Sequence, residues 1–203
     1  MYQELPLSIN TECTSTSPQM SVYFPVLTDF ADQSVQYFVN MQIVNGVQQL
    51  IKIQETEFTT PIVEMLGLYE LKNNQQQVLS LVLSNYTYHD KAAHGMTFLK
   101  GLTFNLPELN VYQLNELFKP GTNYVEVISA HVAAQIKQRD LPLLQPFEAI
   151  KPDQDFYIAD KTLVIFFQLY ELVAYAFGFQ YFPISIYDLS EIINEDGPLG
   201  RML

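Results

Sequence analysis

Hydrophobic positions change their spacing several times along the chain, and each change marks an element. Across residues 5–27, SINTECT and QMSVYFPVL read as two strands joined by a turn at Ser15–Pro18. From Asp32 to about Ile53 the spacing switches to helical. Val35, Val39, Ile43, Val47 and Leu50 fall on one face, Gln and Asn fill much of the other, and Asp29 or Asp32 is placed to cap the start. Three strands follow, Val63–Leu71, Val78–Tyr88 and Met96–Asn105, with the loop HDKAAHG between the last two. Leu114–Phe118 is expected as a short helical turn, ended by Pro120-Gly121. A second amphipathic helix, about Thr122–Arg139, buries Val125, Ile128, Val132 and Ile136. The stretch Asp155–Leu189 then predicts a strand at Phe156–Ile158, a turn at Asp160-Lys161 and a strand at Leu163–Phe167. A bend at Tyr170-Glu171, a glycine at Gly178 and a strand near Phe182–Ile186 complete it. The order β-β-α-β-β-β-α-β-β-β, with hairpins rather than βαβ crossovers, predicts an α+β fold: a largely antiparallel sheet with two amphipathic helices packed on it. The polar tail Asn194–Leu203 is expected to fray.

Composition sharpens this picture in two respects. Hydrophobic residues make up 48% of the 203, enough for a buried core, and the aromatics are 13 Tyr and 14 Phe with no Trp. Net charge is −12, and residues 140–203 hold ten acids against three bases. Such a balance repels phosphate backbones, so nucleic acid is a poor partner, whereas a cationic protein or an uncharged glycan is tolerated. Cys13 is the single cysteine, which rules out an intrachain disulfide and a CxxC metal knuckle. MYQELPLSIN has neither the basic nor the apolar region of a signal peptide. The longest apolar run, Leu163–Phe182, is interrupted by Gln168, Glu171, Gly178 and Gln180, so no membrane insertion is expected.

Reactive motifs are missing. The histidines are His89, His94 and His131, whose spacing builds no zinc face. No GxSxG elbow or phosphate-binding loop occurs, and no cofactor is implied. Acid pairs such as Glu55/Glu57, Asp153/Asp155 and Glu195/Asp196 read as solvated loop charges. In the HDKAAHG loop, His94 is expected to bond backbone and Gly95 to take a positive φ. Asn85-Tyr86-Thr87 matches a glycosylation sequon, to which no weight attaches. The remaining candidates for ligand binding are Tyr86, Tyr88 and His94 around the loop, and Tyr170, Glu171 and Tyr175 in the bend. Phenol rings with one polar tip suit sugars or protein surfaces. Glu171, a carboxylate in an apolar stretch, must reach water or find a donor such as a backbone amide of the bend.

The segments NYTYHDKAAHGMT, LNELFKPG, DQDFYIADKTLVIFFQLYELVAYAFGF and FPISIYDL resemble successive motifs of the RsiV-like C-terminal domain family. The N-terminal strands with Val39–Ile43 resemble the smaller domain that accompanies it, as in the accessory region of the peptidoglycan deacetylase PdaC. The resemblance implies an N-terminal subdomain over 1–75 and an RsiV-like domain over 76–203, sharing one core. It departs in the loop, where Lys91-Ala92-Ala93-His94-Gly95 stands for the family's Gly-Gly-Ala-His-Gly/Pro. Sigma-binding, transmembrane and zinc-dependent catalytic segments found in family members have no counterpart in this sequence. The resemblance therefore implies a non-catalytic sensing or binding module of spore-forming Gram-positive bacteria, commonly extracytoplasmic. Its partners would be a basic protein such as lysozyme, or a peptidoglycan fragment. Two alternatives stay open: a cell-wall-modifying deacetylase or hydrolase using Asp90, His94 and Glu171, and an intracellular protein sharing only the fold.

Overall fold

The structure is a computed structural model that describes residues 6–203. The signal-peptide reading of residues 1–10 and the start of the first expected strand fall partly on residues 1–5, outside the described residues. Two compact units divide the chain, the first ending at Val111 and the second spanning Tyr112–Leu203.

In the first unit, β1 (Ser8–Ser17) and β2 (Met20–Thr28) form the expected hairpin. Helix α1 (Gln33–Glu57) follows, started by Asp32, whose carboxylate accepts hydrogen bonds from the amides of Ser34 and Val35. Strands β3 (Ile62–Gln75), β4 (Val78–His89), β5 (Met96–Asn105) and the short β6 (Asn110–Val111) complete a six-stranded sheet in chain order. Neighbours are antiparallel with one exception. Met20–Val22 of β2 pair parallel with Met65–Gly67 of β3, so α1 is a βαβ crossover where only hairpins were expected. A Cβ at Gly67 would collide with the Val22 side chain, and glycine is what lets these strands meet. The predicted helix face is the buried one. Val35, Val39, Ile43, Val47 and Leu50 pack on Leu79, Leu81, Leu83, Leu102 and Phe104 of the sheet. One polar residue joins them. Gln54, fully buried, donates to the carbonyls of Asn85 (2.7 Å) and Met96 (3.0 Å) and accepts from Thr87 Oγ1 (2.7 Å). The expected domain boundary at 75/76 lies in the turn between the paired strands β3 and β4, whereas the compact units meet at Val111/Tyr112.

The second unit opens with a 3-10 turn at Leu114–Leu117 and α2 (Tyr124–Gln138). Strands β7 (Phe156–Ala159), β8 (Thr162–Phe167) and β9 (Gln180–Ser185) form a separate antiparallel sheet. Helix α2 lies against β9: Gln135 donates to the Pro183 carbonyl (2.8 Å) and the Arg139 guanidinium sits 4.4 Å from the Phe182 ring centroid. Burial holds that guanidinium below its ordinary pKa. Of the expected face, Ile128, Val132 and Ile136 are buried, while Val125 is half-buried and Ser129 takes an inner place. Ser129 Oγ accepts the Ile150 amide (3.0 Å) and donates to the Val125 carbonyl (2.6 Å), which satisfies it. The C-terminal segment does not fray. Asn194 donates to the Leu117 carbonyl (3.0 Å), Phe118 and Ile193 form a β-bridge, and Leu199 and Met202 are buried. Its apolar residues are few but sit at anchoring positions. Among the described residues no helix is long and apolar enough to cross a membrane.

Candidate functional site

The bend after β8 begins at Gln168, and its geometry is set by a carboxylate. Glu171 Oε2 accepts the Gln168 amide (2.8 Å), the backbone partner expected for it, while the Glu171 amide donates to the Gln168 carbonyl (3.1 Å). Tyr170, between them, takes a left-handed φ of +65°, uncommon for a bulky side chain. The other carboxylate oxygen of Glu171 receives Lys151 Nζ (2.6 Å) from the loop before β7. That loop is tied down in its turn. Gln154, 3% exposed, accepts the Lys151 amide (3.3 Å) and donates to the Phe166 carbonyl (2.9 Å), and Gln168 Nε2 donates to Asp155 Oδ2 (2.9 Å).

These groups enclose an open hollow of about 400 Å³ lined by Lys151, Asp153, Gln154, Asp155, Gln168 and Glu171. A second, of about 260 Å³, shares Lys151, Gln154 and Glu171 and continues over Phe147, Phe167 and Leu172. The first is lined by charged and amide side chains, and the second mixes Gln145, Glu148 and the shared polar groups with Phe147, Phe167 and Leu172. The hydrogen bond to Glu171, backed by the charges of Glu171, Asp153 and Asp155, holds the Lys151 ammonium above the ordinary lysine value against the opposing pull of burial. Burial and the Asp153 charge likewise raise the Tyr124 phenol, whose hydroxyl donates to the Pro152 carbonyl. Of the bend's candidates, Tyr170 is 45% exposed and packs on Tyr175 with ring centroids 5.6 Å apart; Phe177, 55% exposed, follows. Carboxylates, amides and exposed rings together can bind a cationic or sugar-like surface.

Tyr86, Tyr88 and His94 lie in the first unit. Tyr86 and Tyr88, two apart on β4, are half-buried, and Tyr88 donates to the Ala92 carbonyl (3.0 Å), closing the loop. His94 is exposed and its Nδ1 donates to the Gly95 carbonyl (2.9 Å). Gly95 does not take a positive φ; in this loop Lys91 does, at +61°. Glycine is needed at 95 because the Tyr86 ring occupies the space a Cβ would fill. Asn85, the sequon position, is 2% exposed, and its side-chain amide and His89 Nε2 are buried without a hydrogen-bond partner. A sugar acceptor has to be reachable, and Asn85 is not.

Lys151, Gln154 and Gln168 carried no sequence signal, and Asp155, read there as a solvated charge, is half-buried and hydrogen-bonded. The clue to this polar cluster was Glu171, since a carboxylate in an apolar run needs a cation or amide from somewhere, and its cation lies twenty residues away. Among the described residues no three His, Cys, Asp or Glu side chains converge as a metal site would require.

Residues 115–187 match a family described as a protein of unknown function, DUF3298. Over 189 residues the chain is 27% identical to the anti-sigma-V factor RsiV of Bacillus subtilis, covering 86% of this chain and 65% of that protein. The chain thus spans a little under two-thirds of this curated relative's length. Two crystal structures share the fold. A DUF3298 family member from Bacteroides fragilis gives a TM-score of 0.72 at 11% identity, over 100% of this chain and 99% of that one. A DUF3298 family protein from Pseudomonas aeruginosa gives 0.71 at 12%, over 94% and 96%.

Proposed function

We propose, from the match of residues 115–187 to the DUF3298 family and the likeness of the chain to RsiV, that this protein is a non-catalytic binding and sensing module for a cell-envelope component. The component is a basic, lysozyme-like protein or a peptidoglycan fragment. The observation that carries the reading is the acid-lined hollow around Glu171, with exposed Tyr170 and Phe177 on the same bend. Three carboxylates line it against the single cation of Lys151, which Glu171 already engages. A protein partner rich in Lys and Arg meets complementary charge there, and the rings add desolvated contact area. A named relative being an anti-sigma factor supports a sensing role over turnover.

Calorimetric titration with hen lysozyme and, separately, with muropeptides tests this. Saturable heat from at least one, weakened by Asp155→Asn or Glu171→Gln, is expected. No heat from either at protein concentrations near a millimolar overturns the proposal.

A further inference from the structure

The outer strand of the first unit's sheet is open. The strand order begins at β1, which pairs with β2 on one side, and among the described residues no strand pairs with its other side. Unpaired edges invite a further strand, and proteins usually block them with lysines, prolines, bulges or shortness. β1 uses none of these along most of its length. It runs ten residues, Asn10–Thr16 are all exposed, and its register slips only at the tip, between Ser15 and Ser17.

Charge decides what can add there. Residues 8–28, the whole hairpin, hold one charged side chain, Glu12, in a chain of net charge −12. Most of this protein's surface repels its own copy, and the hairpin is a place where two copies approach with little repulsion. We propose that β1 pairs antiparallel with β1 of a second copy about a two-fold axis, joining the two sheets into one.

The axis also fixes the register. A two-fold normal to a sheet pairs residues on the same face, so one residue of β1 must meet itself. Centring on Glu12 or on Cys13 keeps the most of the strand paired. The Glu12 centre sets carboxylate against carboxylate, which is unfavourable. The Cys13 centre sets Glu12 against the uncharged Thr14, Thr11 against Ser15 and Asn10 against Thr16. β-branched threonines suit such cross-strand contacts. The interface is therefore an isologous strand pair with Cys13 at its centre.

Sedimentation of the full chain from about one to several hundred micromolar tests this, with Thr14 as the probe because it is exposed and faces Glu12 of the other copy. A concentration-dependent dimer is expected. Thr14→Glu, which sets a second carboxylate against each Glu12, raises the dimer dissociation constant roughly tenfold, and Thr14→Lys lowers it. Circular dichroism of both variants should match that of the parent. A monomer throughout the range, or Thr14→Glu and Thr14→Lys shifting the equilibrium in the same direction, overturns the proposal.

Discussion

At the scale of single residues, two sites show contacts that chemistry alone imposes. Gly95 is required by a ring rather than by a dihedral angle, since Tyr86 fills the position of any Cβ there. Gly95→Ala should therefore destabilise the protein by about 1–3 kcal/mol, as overpacking does. Introduced into a Tyr86→Ala background, the same change should cost much less. Urea unfolding of the four proteins of this cycle measures the coupling, and equal costs in both backgrounds would show that the ring is not the obstacle. Glu171 supplies the second case. Glu171→Gln leaves an oxygen for the Gln168 amide but removes the charge that meets Lys151. The Lys151 side chain is 66% exposed, so solvent screening limits the pair to at most about 1 kcal/mol. The folded-state pKa of Lys151 is raised. Its contribution to stability is fully present below the ordinary lysine value and is lost as pH rises through the folded value. The stability difference between parent and Glu171→Gln should hold steady from pH 7 to about 9 and shrink above about 10.4. Denaturant titrations across that range check it, and a difference growing above pH 10 would reverse the assignment.

Elements were legible wherever hydrophobic spacing carried the information. The helix-spaced Val35, Val39, Ile43, Val47 and Leu50 gave the position of α1 and its buried face, because packing against a sheet rewards that spacing directly. Alternation in β4 and the turn at Asp160-Lys161 were equally local signals. What spacing could not carry was pairing between distant segments. The parallel contact of β2 with β3 rests on three residues and the absent side chain of Gly67, neither of which alters the periodicity of either strand. The hairpin between β3 and β4 turns on Gln76 and Gln77 at φ of +52° and +59°, where glycine or asparagine would have announced it. At the end of α1, Gln54 continues the buried face as a polar residue, and its role is visible only once β4 and β5 are beside it. Gln54→Ala should leave the Asn85 and Met96 carbonyls and the Thr87 hydroxyl without that partner, at a cost of about 2–4 kcal/mol. Hydrogen exchange should quicken first in the last turn of α1, near Ile51–Glu57. Uniform acceleration along the whole helix would mean that Gln54 is ordinary core. The candidate site was legible to a similar degree. Glu171 and the tyrosines of the bend stood out, but Lys151, Gln154 and Gln168 gain meaning only through hydrogen bonds across the fold.

At the scale of the whole molecule, charge acts at distances that no single contact reaches. The ten acids of residues 140–203 face three bases, and the field they make should draw a basic partner before any side chain touches it. If the proposed lysozyme-like partner is the ligand, neutralising Glu148, Asp153 and Asp188 together should slow association more than it speeds dissociation. These acids are exposed and Glu148 and Asp153 border the hollows around Glu171. Their long-range part is screened within about 8 Å at physiological salt, so the slowing should be roughly tenfold at low ionic strength and small at 0.5 M. Substitution of Tyr170 by alanine should do the reverse, leaving association nearly unchanged while dissociation accelerates, because a ring acts only after contact. Stopped-flow association and dissociation rates with hen lysozyme, measured for both variants over a salt series, separate the two effects. Equal changes in the two rates for either variant would place recognition elsewhere than in this bend and its surrounding field.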